Sequence, residues 1–485
     1  MSRLAVFIVC LTVLTAAAAG AISSDEGLLF SADFQGWKGE GFSRLHKGEA
    51  LHGYRDGGAD NFAKFEFSAA AAPKDEERKK RSWRFGFSER FRYDTWDNVR
   101  TLDAGRSDGR AVVFLRTRFS LDAALSRRME FGIRLTHEAR QAVTPAGESF
   151  QWDEAVFDRF HVRWTVPGSL PLTLTLGRQS LFVGEGFLVA EGTPLDETRS
   201  DYFNALRLDW TPAGGRRLTF FACHQTEKDS LLPVIRSRSR PLVEQPETGL
   251  GLVYARIGER WDWEASVVYK KSLPGSIPLP EGDVLTFDGR LVRSVLPEIV
   301  FSGEAAFQTG TRGGARLFSW GANGRLSWDL ENTLPVPLRI SAGALALAGD
   351  DPASETYEGW TPLFSRWPRW SESYIYTLAE EQDGRTAWWS NLTSLFGEID
   401  VRPTGRLALR LGVHLLGAPR TGPAAWDEIS GSGHVRGTLW SAMVTVLLSE
   451  RLRGHLLYEG FRPGDFYVPE ADGYSFLRFE LLWEF

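Results

Sequence analysis

A chain of 485 residues with a formal net charge of -6 and 43% hydrophobic residues has room for two or three soluble domains or for one large barrel. After the amino terminus no stretch stays apolar long enough to form a spanning helix, which excludes a helical membrane protein. Of 56 basic residues only nine are Lys. Arg presents a rigid fork that grips carboxylate or phosphate, although high genomic GC content favours the same bias, so position has to decide its meaning.

Residues 1–21 read as a secretory signal peptide: Arg3, an apolar stretch from Leu4 to Leu14, then small residues from Ala16 to Ala21, with cleavage after Ala19 or Ala21. Cys10 lies inside the apolar stretch, too early for a lipoprotein site, and the remaining Cys223 has no partner for an internal disulfide. Residues 22–81 are Gly-rich and end in the charged run Lys74 to Arg81. They are expected to form a periplasmic or plug-like extension, or to add a strand pair within 28–68.

From Ser82 the chain divides into about eighteen alternating segments. The expected strands are 82–93, 110–120, 127–138, 154–165, 171–180, 201–210, 215–225, 248–257 and 260–271, followed by 283–293, 296–308, 315–329, 336–348, 386–400, 404–415, 434–448, 450–461 and 474–485. Tight connections such as Leu121 to Ser126, Val166 to Leu170 and Thr211 to Gly214 alternate with long ones at 139–153, 181–200, 226–247, 349–385, 416–433 and 462–473. Short periplasmic turns and long external loops are the pattern of an all-β transmembrane antiparallel barrel, here over 82–485. The last segment agrees: Leu477, Phe479, Leu481, Trp483 and Phe485 alternate with Arg478, Glu480 and Glu484. An aromatic content of 13% suits interfacial girdles.

The same alternation sorts the arginines. In the first segment Trp83, Phe85, Phe87, Phe91 and Tyr93 share one face, and Arg84, Ser88, Arg90 and Arg92 the other. Arg116, Arg118, Arg134, Arg159, Arg163 and Arg207 fall on the second face of later segments. A lipid-facing charge near mid-membrane costs about 2–4 kcal/mol, so these side chains are assigned to the lumen. They form an anion-attracting path or, with Glu130, Glu138, Asp158 and Asp209, pack the interior as ion pairs. Fewer inward Arg on the carboxy-terminal strands would make any basic track one-sided.

Two stretches resemble the alginate export family of outer-membrane porins. One is Gly177-Arg178-Gln179, continuing through Gly184 and Leu188-Val189 to Arg199 and Ala205-Leu206-Arg207-Leu208. The other is Gly349-Asp350-Asp351-Pro352, then Trp360, Pro362-Leu363-Phe364, Trp367 and Trp370. The resemblance implies an eighteen-stranded barrel passing an acidic polysaccharide through a basic lumen, with Arg178 as a pore-constriction residue. Arg178 shares its parity with Leu172, Leu174 and Leu176, so inward placement requires a bulge or bend near Gly177.

Other constellations carry less. Asp350 and Asp351 are candidate cation ligands or turn formers. Trp360, Trp367, Trp370, Tyr374 and Tyr376 stack on sugars, pack their loop or meet the lipid interface. His137-Glu138 reads as structural, and the sequon Asn391-Leu392-Thr393 falls in a strand. Gly-x-Ser-x-Gly, His-Glu-x-x-His and phosphate-loop motifs are absent. No catalytic residue, metal or cofactor is therefore expected.

The expected partners are an anionic polysaccharide or sugar-acid solutes, outer-membrane lipid and the barrel-insertion machinery, with no nucleic acid. The competing functions are uptake of small anionic or sugar solutes, a barrel-borne hydrolase, and an adhesion or structural barrel presenting loops 226–247 and 349–385.

Overall fold

The computed structural model describes residues 83–485 apart from 107, 191–201, 230, 236–241, 259–260, 331–334, 366–369, 382–388 and 422–430. The expected signal peptide, the extension 22–81, Arg199 and Trp367 lie outside the described residues. The strands in chain order are β1 (Trp83–Asp97), β2 (Arg110–Ser126), β3 (Met129–Thr144), β4 (Gln151–Thr165), β5 (Leu172–Gln179), β6 (Phe203–Trp210), β7 (Arg216–Gln225), β8 (Glu247–Ile257), β9 (Trp261–Ser272) and β10 (Gly282–Leu296). They continue as β11 (Ile299–Arg312), β12 (Ala315–Asp329), β13 (Leu338–Leu347), β14 (Thr356–Tyr357), β15 (Leu392–Thr404), β16 (Leu407–Gly417), β17 (Val435–Leu447), β18 (Leu452–Pro463) and β19 (Tyr474–Glu484). All but β14 form one closed antiparallel wall of eighteen strands; the two residues of β14 pair in parallel with β12.

Closure follows from the solvent. Hydrocarbon offers no partner to a backbone N–H or C=O, so a sheet in lipid can have no edge. Ser88 to Asp97 of β1 therefore pair with Glu484 to Ser475 of β19. Phe485 extends the seam, its backbone exchanging hydrogen bonds of 2.8 and 2.9 Å with Phe87. At the end with the short turns, Trp83, Trp164, Trp210, Trp261, Trp328 and Trp483 stand exposed on the outer face, as an interfacial belt requires.

Two departures from regular pairing matter inside. Between Arg134/Leu135 of β3 and Arg159/Phe157 of β4 the register slips by one, leaving Asp158 as the extra residue. A bulge of this kind lets adjacent residues face the same side, and both Asp158 and Arg159 are buried inside. In β5, Gly177 adopts φ 118°; a Cβ there would lie 2.3 Å from the Phe160 carbonyl oxygen, so only glycine fits. The expected bend at this residue is present.

The long loops differ from the expectation of external ribbons. Residues 181–190 and the described parts of 348–391 fold into the barrel and share its apolar core. Phe187 stacks on Trp360 at 5.0 Å between centroids, and Val189 bridges to Phe364. The second loop carries a short helix, α1 (Tyr374–Glu380). Its amino end is held by the wall residue Glu459, whose carboxylate accepts backbone N–H groups of Glu372 at 3.0 Å and Ser373 at 2.9 Å. Orphan donors at a helix start favour such a carboxylate. Because this loop occupies the lumen, the strand expected over 386–400 begins only at Leu392 among the described residues.

The facing of the wall is testable. Leu411, 54% exposed at mid-strand in β16, meets lipid, and Leu411→Arg is expected to lower the unfolding free energy by about 2–4 kcal/mol in vesicle denaturation. Asn323→Arg, on the lumen face opposite Glu304, is expected to change it by no more than about 0.5 kcal/mol. Equal losses at the two positions would contradict the assignment.

Candidate functional site

Eight of the ten sequence-assigned arginines lie together on the inner face of β1 to β4: Arg84, Arg90, Arg92, Arg116, Arg118, Arg134, Arg159 and Arg163. The ladder sets guanidinium-bearing residues directly across from one another, Arg90 facing Arg116 and Arg134 facing Arg159. Like charges so placed repel, so the carboxylates between them decide the local field.

Those carboxylates are shared. Glu480 lies 2.6 Å from Arg92 and 3.9 Å from Arg90. Asp158, delivered by the β4 bulge, takes two bonds from Arg134, at 2.7 and 3.0 Å, and lies 3.7 Å from Arg118. Asp122 meets Arg84 and Arg159, each at 3.0 Å. Further round, Asp209 serves Arg207 at 2.9 Å and Arg217 at 2.8 Å. Glu138, directly across from Arg116, and Glu154 are buried on the same face, and Glu130 lies 3.9 Å from Arg163, so the positive excess of this arc is modest. Arg90, Arg92, Arg116, Arg118, Arg134 and Arg159 are buried, whereas Arg84 and Arg163 reach the open vestibule at the short-turn end.

Across the lumen the balance inverts. In β9, β10 and β11 the row Glu264–Arg290–Glu304 is in register, and Asp288 lies two residues before Arg290 on the same face. Glu185, on the inward loop, receives Arg290 at 2.7 Å and the Ser302 hydroxyl at 3.0 Å. This acidic set was missed in the sequence; the alternation of 260–271, 283–293 and 296–308 carries the signal, but the pairing of Glu185 with Arg290 spans 105 residues. The carboxy-terminal strands supply more inward arginines than expected. Each has a carboxylate of its own: Arg325 with Glu398, Arg339 with Asp329, Arg410 with Asp400 and Arg453 with Glu484. The arginines therefore encircle the vestibule rather than forming a track on one side alone.

Arg178 stands apart from these rows. Its guanidinium donates to Asn204 Oδ1 at 3.1 Å, the Phe157 carbonyl at 2.6 Å and Asp229 Oδ1 at 2.8 Å, and it lies 4.1 Å from the Tyr202 ring centroid. Tyr202 also donates to Asp229 at 2.6 Å. The side chain is 1% exposed, so it ties the 226–247 loop to the wall where β5 stops and offers nothing to a passing solute. Constriction by Arg178, implied by the family resemblance, is corrected on that ground.

The remaining motifs resolve as structure. Trp360 and Tyr374 are fully buried, and Trp370 stacks on His414 at 5.0 Å, so these rings pack the inward loop. Asp350 accepts the Glu358 N–H at 2.8 Å, and Asp351 pairs with Arg420 at 3.2 Å. Asn391 precedes β15 and clamps Arg420 through its side-chain amide. His137 packs on Trp152 on the outer face while Glu138 points inward, so the two form no joint site.

No family model and no curated protein matches this chain. Solved structures from Pseudomonas aeruginosa do. OccK5 (OpdH) superposes with a TM-score of 0.53 at 12% identity, over 83% of this chain and 98% of that one. The outer membrane protein opdK gives 0.51 at 12% identity, over 83% and 99%. OccK2 (OpdF), solved in complex with glucuronate, gives 0.50 at 11% identity, over 83% and 97%. The likeness is one of fold, and with the closed wall and its aromatic belt it places the protein in the bacterial outer membrane.

The Arg178 tie makes a prediction. Burial favours the neutral form of Asp229, but hydrogen bonds from Arg178 and Tyr202 outweigh it and hold the carboxyl below its ordinary range. The contribution is thus complete above about pH 4 and is lost as pH falls through the lowered value. Breaking such a buried pair costs about 3–5 kcal/mol. Asp229→Ala is expected to expose 226–247 to protease in the folded barrel at neutral pH, as acid does in the wild type; unchanged protection would refute the tie.

Proposed function

We propose that the protein is a passive channel through which small carboxylate-bearing solutes cross the outer membrane. The observation that carries this reading is the inner face of β1 to β4 and β6, where Glu480, Asp158, Asp122 and Asp209 are each divided between two guanidinium groups. A carboxylate entering the vestibule meets the exposed Arg84 and Arg163, while the buried arginines behind them act through their field, which the low-dielectric walls focus. Each contact is moderate, so a solute can be handed on rather than trapped. The glucuronate complex of OccK2 supports the same substrate chemistry for this fold.

The second reading is conduction of an acidic polysaccharide, as the alginate export resemblance implies. It draws on the same arginines. The inward loops 181–190 and 348–391, packed against each other and bolted to the wall by Glu459 and Lys270, favour a small acid over a polymer.

Planar-bilayer recording separates these readings. Under a salt gradient the reversal potential is expected to favour anions, and millimolar glucuronate is expected to reduce chloride current while a long oligouronate does not. Arg118→Glu with Arg90→Glu is expected to abolish the anion preference. Cation selectivity in the wild type, or indifference to the double substitution, would defeat the proposal; block by the oligouronate alone would favour the polymer.

A further inference from the structure

The lipid-facing surface of β13, β15, β16 and β17 is interrupted near the long-loop rim by a cleft of about 530 Å³. Its origin lies in the β16–β17 ladder. Leu416 pairs with Gly437 and Gly417 with Val435, so Arg436 is an extra residue without a cross-strand partner, a bulge. The bulge turns the Arg436 guanidinium into the barrel, 2.7 Å from Glu381 of the inward loop. Outside, it leaves Gly437 at φ 142°, where a Cβ would meet the Arg462 carbonyl oxygen at 2.2 Å. Small side chains at Ala344 and Ala346 complete the floor, and Leu395, Leu415 and Val435 form walls that are 63%, 56% and 54% exposed.

The rim of the cleft is charged. Thr438, which lines it, is the cross-strand partner of Arg462. Phe461 and Leu439 in the adjoining pair are buried in the core, so alternation points Arg462 outward. Arg462 is exposed and makes no ion pair among the described residues. An apolar slot with a guanidinium at its outer end matches a hydrocarbon chain joined to an anionic head group. The volume is within the range of small-molecule sites, and the fork suits a phosphate. A concave slot receives a chain, whereas the convex wall of a second barrel would bridge over it.

We propose that this cleft seats one acyl chain of a phosphorylated glycolipid of the outer leaflet, with the lipid phosphate on Arg462. The site lies on the outside of the wall, so it stands or falls independently of what passes through the lumen.

Native mass spectrometry of the full detergent-extracted barrel, incubated separately with lipid A and with phosphatidylglycerol, tests it. One lipid A is expected to stay bound. Arg462→Ala and the slot-filling Ala344→Phe are each expected to lower the retained fraction at least fivefold without changing the heat-modifiable mobility of the folded barrel. Arg451→Ala, at the opposite rim, is expected to leave retention intact. Should Ala344→Phe fail to fold, Arg462→Ala decides alone. Equal retention of phosphatidylglycerol, a second copy of the chain in place of lipid, retention indifferent to Arg462→Ala, or no retained lipid would each overturn the assignment.

Discussion

A wall one strand thick gives every side chain a choice of only two surroundings, hydrocarbon or lumen, and the pleat enforces that choice alternately. Once β19 closes on β1, no backbone edge remains and no residue can evade the alternation by sliding, because a slip of one residue would send the arginines of β1 to β4 into lipid. The charge pattern of the lumen is therefore a consequence of register. The wall holds the arginines inside whether or not each has a carboxylate to itself.

Where the molecule departs from that alternation, it moves chemistry. The β4 bulge inserts Asp158 between Arg134 and Arg118, lowering a repulsion that the regular ladder would leave bare. The β17 bulge sends Arg436 to Glu381 and anchors the second inward loop. Gly177 bends the end of β5 before Arg178 fastens the 226–247 loop. Each irregularity joins the wall to something it surrounds or supports. Together they convert a plain cylinder into one whose lumen is partly filled by loops.

These two kinds of feature were unequally legible in the sequence. Parity is local, so Arg90 and Arg92 against Phe91 and Tyr93 can be read from four residues, and the run to Phe485 from nine. The bend at Gly177 was also legible, because a glycine between a leucine face and an arginine is an unusual place for a strand to lack a side chain. The fate of Arg178 was not, since its partner Asp229 is 51 residues away in a loop of no regular period. The aromatic loop around Trp360 looked external for the same reason: an apolar segment reads alike whether it packs inside a barrel or meets a sugar. Counting arginines per strand also misjudged the carboxy-terminal half. What sets the field is how many carboxylates each group shares, and cross-strand pairing alone decides that.

The positive potential of the arc around β2 can be read from the reactivity of a thiol placed there. Ser88 faces the lumen opposite Arg118, so Ser88→Cys in a Cys10→Ser, Cys223→Ser background offers one thiol to charged reagents of equal size. Modification by the anionic reagent is expected to be faster than by the cationic one at low salt, converging as salt screens the field. Equal rates at low salt, or faster reaction with the cation, would contradict it.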